Sequence, residues 1–337
     1  MSCLTEEINI PKNMLVFAIE SSCDETSVCI MQKDKKILSH IVHSQEVHIK
    51  HGGVVPELAA RAHLEIIQNI TKKALKESSL KLKDIDLFSA TCGPGLIGSL
   101  LIGSTFAKSL AIGVKKPFIP INHLEAHVLS TFYNNEIEFP HLCLLITGGH
   151  TQLYFLKNLK SIKLIGETID DAVGEAFDKV AKILGMNYPG GEEIEKQAIN
   201  GDEEGFKLPK PLINTDDLNF SFSGLKTSVN QIAKKNIIDA EFIKNMSASF
   251  QKCIAEILIT KINKAINNVD TNNNKLSISV VGGVANNKYL KKSFTNLEIK
   301  NDVKILYPPK YMMNDNAAMV AWATIFKHSK NSDLNLE

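Results

Sequence analysis

The sequence predicts an α/β protein built from two related units packed around a cleft. Three observations carry that reading. MLVFAIESS, Met14–Ser22, is a continuous apolar run ending in small polar residues; an acidic turn, CDET, then leads into a second apolar stretch, SVCIMQ. The same order of apolar run, tight turn and second strand returns at FPHLCLLITGGHTQLYFLK, Phe139–Lys157, and in part at SISVVGGVANN, Ser277–Asn287, where a helix follows the Gly-Gly turn. No low-complexity linker separates the repeats, so the units are expected to pack closely, with a boundary near residues 120–140. An apolar run without polar alternation marks a strand buried on both faces, as in a sheet covered by helices.

The elements follow in order. Pro56–Glu77 is a long amphipathic stretch with helical periodicity. DLFSATCGPG, Asp86–Gly95, is an apolar strand closed by glycines and a proline. Gly95–Val114 is the most membrane-like run, but it carries Lys108, small polar residues and glycines, and is expected to be a buried helix of a globular core. PFIPINH leads into INHLEAHVLS, Ile121–Ser130. Ile169–Asn268 reads mostly as helices, interrupted by the loop-rich Leu208–Lys226, and Asn272–Asn274 reads as a solvated turn. Asn314–Met319 begins a C-terminal helix behind Pro308 and Pro309.

Composition bounds the chemistry. At 337 residues, 44% hydrophobic and 22% charged, the chain is an ordinary globular protein with material for one large or two medium cores. A net charge of +1 supplies no global field for nucleic acid. Arg61 is the single arginine, so phosphate or RNA contacts fall to lysines, backbone N–H groups and helix ends. The lysine pairs 72/73, 115/116, 234/235 and 291/292 read either as solvated faces or as RNA contacts. The six cysteines show no C-x-x-C pair, which argues against a structural zinc site or a disulfide framework and fits a reducing cytosol. The polar start MSCLTEEINIPKN resembles neither a signal nor a transit peptide.

Four places carry candidate chemistry. His123 and His127 lie four apart, about 40° apart around a helix, and can grip one ion. A zinc-protease helix reads H-E-x-x-H; the order is H-x-E-x-H in this chain, which turns Glu125 away from the ion its neighbours would bind. Two surface or two satisfied core imidazoles are the alternative. The turns at Thr147-Gly148-Gly149 and Gly282-Gly283 let backbone approach a ligand, and successive N–H groups there can cradle an anion. Thr168–Gly185 reads as a helix with Asp171, Glu175 and Asp178 on one face, either a solvated stripe or, through Asp178, a hold on ribose hydroxyls. Tyr188–Gly191, YPGG, closes that helix. Asp315 stands either as the N-cap of the last helix or as a third metal ligand. Two imidazoles and a carboxylate suit ferrous iron or zinc with open positions.

Taken together, these residues resemble the tRNA N6-adenosine threonylcarbamoyltransferase family, formerly described as glycoproteases. The carriers are IESSCDET (19–26), GGVVPELAARAH (52–63), GPGLIGSLLIG (93–103), NHLEAH (122–127) and LLITGGHTQL (144–153). They continue with GETIDDAVGEAFDKVAKILG (166–185), YPGG (188–191), FSFSGLKT (220–227), VVGGVANN (280–287) and NDNAAMVA (314–321). The resemblance runs in unbroken order from about Met14 to Ala323.

It implies two RNase H-like α/β domains of the actin, sugar-kinase and chaperone ATPase type around a central cleft. Residues 14–130 would form the first domain with the His-bearing helix, and 131–322 the second with a helical insertion. Residues 1–13 would be an extension and 323–337 a C-terminal helix or tail. It implies one divalent metal, iron(II) first and zinc second, on His123, His127 and Asp315. The adenylate loop would be Leu145, Ile146, Thr147, Gly148 and Gly149, with Asp178, Gly191, Glu195 and Asn287 around the nucleoside; Glu195 stands where some members place an aspartate. The implied acyltransferase moves a threonylcarbamoyl group from threonylcarbamoyl-adenylate to N6 of adenosine 37 in tRNAs that read codons beginning with A. Asp24, backed by Glu25, is the candidate to orient or deprotonate the amine. Implied partners are tRNA, a related same-fold protein (TsaB type) and a small ATPase (TsaE type), with no membrane, in a bacterial cytoplasm. A kinase or chaperone-like ATPase, a metalloprotease and a non-catalytic scaffold are the competing readings.

Overall fold

The computed structural model describes residues 13–269 and 276–330. Residues 1–12 of the N-terminal extension, the asparagine run Asn272–Asn274 and the tail 331–337 lie outside the described residues.

The apolar run after Met14 becomes β1 (Leu15–Glu20), and it pairs antiparallel with β2 (Glu25–Gln32), Phe17 opposite Ile30. β3 (Ile37–Ser44) adds antiparallel to β2, while β4 (Leu87–Gly93) and β5 (Phe118–Asn122) add in parallel on the other side of β1. The sheet order is therefore β3-β2-β1-β4-β5. Phe17, Ile19, Val28, Ile30 and Phe88 form its core with residues of α1 (Pro56–Glu77) and α2 (Ile97–Val114). This unit comprises residues 13–45, 59–126 and 316–330, so that α9 (Ala317–Lys330) packs against β1 and β2.

The second unit holds residues 46–58, 127–269 and 276–315. Its strands β6 (His141–Ile146), β7 (Thr151–Asn158), β8 (Ser161–Glu167), β9 (Ser277–Val281) and β10 (Lys304–Leu306) lie in the order β10-β9-β6-β7-β8. Read from the other edge, that is the order of the first sheet. The directions match as well: β6–β7 and β7–β8 are antiparallel, β6–β9 and β9–β10 parallel. Each unit thus has RNase H-like topology, and the repeat expected from the runs at Met14 and Phe139 is present; the third run, β9, answers to β4 and not to β1. Helices α4 (Val173–Ile183), α5 (Gly190–Gln197), α6 (Ser223–Ala233) and α7 (Ala240–Asn268) fill the region read as helical, and α8 (Lys288–Asn301) follows the second Gly-Gly turn. Phe177 of α4 meets Phe250 of α7 edge to face at 5.0 Å in the core.

Two expectations change. Among the described helices α2 alone is long and apolar enough to cross a membrane, and it packs on β1, β4 and β5 of the first sheet. It is not a buried helix: only Ser99, Gly103, Ala107 and Ala111 are buried, whereas Ile97 is 78%, Leu101 59% and Ile112 67% exposed. The small residues recur every fourth position and let the helix lie close to the sheet; a Cβ on Gly103 would stand 2.1 Å from Ser21 Oγ. The bulky apolar residues therefore face outward.

The helix read at Thr168–Gly185 starts only at Val173. Thr168 pairs with Phe220, the Ile169 N–H reaches Phe220 O, and Asp170 turns its carboxylate to the segment before α6. Local bonding to Phe220–Ser223 thus takes the backbone that a further helical turn would use.

Candidate active site

Helix α3 (His123–Ser130) begins at the first candidate ligand because Asn122 caps it, its Oδ1 accepting from Leu124 N at 2.8 Å and Glu125 N at 3.2 Å. His123 and His127 are both buried, one turn apart. His127 Nε2 lies 3.0 Å from Asp315 Oδ1, bringing together residues 188 positions apart. The N-cap of α9 is the next residue: Asn316 Oδ1 accepts from Ala318 N at 2.9 Å and Met319 N at 3.1 Å. The capping alternative for Asp315 is thereby corrected, and its carboxylate turns to His127.

One donor atom from each of His123, His127 and Asp315 lies within 4.8 Å of the others. Donors around an ion at about 2.1 Å stand roughly 3–4 Å apart, so small side-chain rotations suffice to gather them. Two neutral imidazoles and a carboxylate, mostly shielded from water, fit zinc or ferrous iron and leave coordination positions for a substrate. Glu125 is buried and ion-paired to Lys327 Nζ at 2.8 Å. The base that a protease would need beside the ion is held in that pair.

In the first unit the CDET turn is pinned at several points. His63 of α1 spans it, with Nδ1 2.7 Å from Thr26 Oγ1 and Nε2 2.9 Å from Cys23 O. Leu96 N donates to Ser22 O at 2.8 Å, and Gln45 N to Asp24 O at 3.2 Å. Asp24 and Glu25, both half-buried, stand on this fixed turn. Pinning lowers the entropic cost of presenting a carboxylate to a substrate.

In the second unit Leu145 and Ile146 end β6 with their side chains in the core and their backbone in register with β7, so neither offers a side chain to a ligand. Thr147 then closes the turn: its Oγ1 accepts from Gly149 N at 3.2 Å and His150 N at 2.9 Å. Gly148 and Gly149 are exposed. Gly282, at φ +97°, would place a Cβ 2.4 Å from Ile146 O, and Gly174 of α4 would place one 2.6 Å from Thr147 O. The two Gly-Gly turns and the start of α4 therefore abut, and glycine is what lets them do so.

Around α5, Asp178 Oδ1 accepts from Gly190 N at 2.7 Å, beside Gly191, and Glu195 Oε1 lies 3.4 Å from Lys288 N at the head of α8. Asn287 caps that helix through Leu290 N at 3.0 Å and donates to Gln251 Oε1 at 2.8 Å. α5 thus links Asp178 and Gly191 to Glu195 and the Asn287 turn. Asp171 and Glu175 both bond Lys179, at 2.6 and 2.8 Å, which is the solvated-stripe reading for those two. Lys291, one turn beyond Asn287, has its ammonium depressed below the usual lysine range, by burial first and then by Lys310.

A protein-family model described as TsaD, tRNA N6-adenosine threonylcarbamoyltransferase, matches residues 36–322. The chain belongs to this family. Relatives bearing the name tRNA N6-adenosine threonylcarbamoyltransferase include that of Rickettsia massiliae, 48% identical over 93% of this chain and 93% of its own. That of Thermosipho africanus is 46% identical over 96% of this chain and 98% of its own. Among solved structures, HypF of T. kodakarensis superposes over 96% of this chain and 49% of its own, with a TM-score of 0.64 at 12% identity. Component A of the Acidaminococcus fermentans (R)-2-hydroxyglutaryl-CoA dehydratase does so over 93% and 100%, with a TM-score of 0.52 at 16%. These likenesses are of fold alone.

Two residues of this threonylcarbamoyltransferase family member escaped the sequence reading. Asn316 was hidden by the acidic neighbour that looked like the cap. Glu20 was quoted within a motif without a role, yet it is fully buried and its Oε2 lies 3.2 Å from His123 Nδ1. A carboxylate closing an otherwise apolar buried strand was the signal, since buried acids are rare without a partner.

Proposed function

We propose that this chain forms threonylcarbamoyladenosine at position 37 of tRNAs that read codons beginning with A, using threonylcarbamoyl-adenylate as donor. Family membership over most of the chain supports the reaction. The observation that carries the assignment of the centre is the meeting of His123, His127 and Asp315 across 188 residues of sequence. Those three would hold one divalent ion, iron(II) first and zinc second. Bound there, the ion would polarise or orient the carbamoyl group.

The adenylate would lie in the second unit. Backbone of Leu145 and Ile146 with Thr147, Gly148 and Gly149 would meet its phosphate, and Asp178, Gly191, Glu195 and Asn287 the nucleoside. With one arginine in the chain, backbone N–H groups and lysines such as Lys291 are the means of holding the anion. Asp24, backed by Glu25, would orient the adenine amine and take its proton as the N6–carbon bond forms and the carbamoyl–phosphate bond breaks, releasing AMP. A same-fold helper of TsaB type and a small ATPase of TsaE type belong to the proposal on family grounds. So does a cytosolic setting, which suits the free thiols of Cys29, Cys92, Cys143 and Cys253.

The test is transfer of carbon-labelled threonine into tRNA by this protein with authentic adenylate and the proposed helpers. Label at adenosine 37 is the expected result. No transfer with authentic donor overturns the reading.

A further inference from the structure

We infer that Glu20 is a positioning residue of the metal centre, fixing the tautomer and orientation of His123; this rests on the metal reading above. Glu20 ends β1 with no exposed surface, in a position where the preceding strand residues are apolar. A carboxylate there carries a heavy desolvation cost unless its oxygens are bonded. Its Oε1 accepts from Ser22 N at 2.6 Å, and its Oε2 receives the Thr91 hydroxyl and lies 3.2 Å from His123 Nδ1.

Both Glu20 oxygens already accept, from Ser22 N–H and from the Thr91 hydroxyl, so toward His123 the carboxylate is an acceptor as well. The imidazole nitrogen facing it must therefore carry the proton, so that the Nδ1–H of His123 donates to Glu20. Ser22 Oγ, 3.3 Å from the same Nδ1, presents a second oxygen. A neutral imidazole protonated at Nδ1 keeps its lone pair on Nε2, which assigns Nε2 to the ion. The carboxylate also holds the plane of the ring, the part a carboxylate partner plays behind a metal-bound histidine. Thr91, on β4, fixes Oε2 from the neighbouring strand, so the support reaches the sheet itself. A merely structural role would be met by a glutamine as well, its oxygen accepting from Ser22 N–H and its amide N–H donating to the Thr91 hydroxyl, which can turn to accept. What the glutamine lacks is the second acceptor oxygen, the one that faces His123 Nδ1.

The full-length protein distinguishes the two roles. Zinc affinity by competition with a chromophoric chelator, and the visible spectrum of the cobalt(II) form, are measured for wild type, Glu20→Gln, Glu20→Ala, Thr91→Val and His123→Ala. Unfolding midpoints of the metal-free proteins are measured alongside. The expected result is a loss of about 10–100-fold in zinc affinity for Glu20→Ala. A smaller loss and an altered cobalt spectrum are expected for Glu20→Gln at unchanged metal-free stability, and a loss in the same direction for Thr91→Val. Should Glu20→Ala fail to fold, the isosteric Glu20→Gln decides. Wild-type zinc affinity and cobalt spectrum in folded Glu20→Gln, with binding lost in His123→Ala, overturns the role of Glu20 and leaves the metal centre standing. Wild-type affinity in His123→Ala overturns the metal centre itself.

Discussion

Adjacent residues at the head of α9 divide two tasks that a single aspartate would otherwise have to share. Asn316 caps the helix and Asp315 faces His127. Asn316→Ala is therefore expected to lower stability by about 1 kcal/mol while keeping metal. Asp315→Ala should leave the cap intact and cut metal affinity at least tenfold; urea unfolding and metal analysis of the two variants separate these effects. Asp170 works in the same local way. Burial alone would raise its pKa, but the hydroxyls of Ser221 and Ser223 and the N–H groups of Phe222 and Ser223 outweigh it and hold the carboxyl below 3.8. Asp170→Asn should destabilise by about 2 kcal/mol, since charged hydrogen bonds become neutral ones. The advantage of wild type over Asp170→Asn is present above pH 3.8 and is lost as pH falls through the lower folded value, a window that unfolding at pH 5, 4 and 3 would trace.

Helix α2 shows how an element can be legible in extent and misread in placement. Its apolar content gives a helix, and the helix exists, but the face that packs is a stripe of small residues invisible to a scale that rewards bulk. Gly103→Val is expected to cost about 1–3 kcal/mol by driving methyls into Ser21 and Ile19. Ile112→Lys, on the outward face, should change stability by no more than about 0.5 kcal/mol. Equal effects in thermal unfolding would reverse the assignment of the two faces. The helix Pro56–Glu77 was readable because its amphipathic periodicity runs its whole length. Strands β3, β8 and β10 were not read. In ILSHIVHS and SIKLIGE, serine, histidine, lysine and glycine interrupt the apolar pattern, and KIL is too short to carry one.

Over the whole molecule, the motifs in order made the family readable and pointed to His123, His127 and Asp315 as a candidate cluster, while partners distant in sequence were not readable. No local pattern pairs Glu20 with His123, or brings α9 to the first sheet; those depend on strand order. Acid stability is another property of that depth. His141 is buried on β6 between Ser277 Oγ at 2.7 Å and Ser279 Oγ at 2.9 Å, and burial pushes its pKa down to about 3. The unfolded chain takes up this proton below about 6.5 while the folded chain refuses it until about 3, so stability falls as pH drops through that interval. His141→Asn should flatten the slope of unfolding free energy between pH 6.5 and 4. An unchanged slope would move the acid sensitivity elsewhere.

The shared strand order makes the turn after β1 and the turn after β6 equivalent positions of one duplicated plan. At the first stand two carboxylates, Asp24 and Glu25; at the second, Gly148 and Gly149, which carry no side chain. A turn bearing two negative charges repels a phosphate, and a turn of glycines has no side chain to take a proton. The same point of the backbone thus carries two side-chain carboxylates in one copy and none in the other, so the repeat is symmetric in its chain path and not in its chemistry.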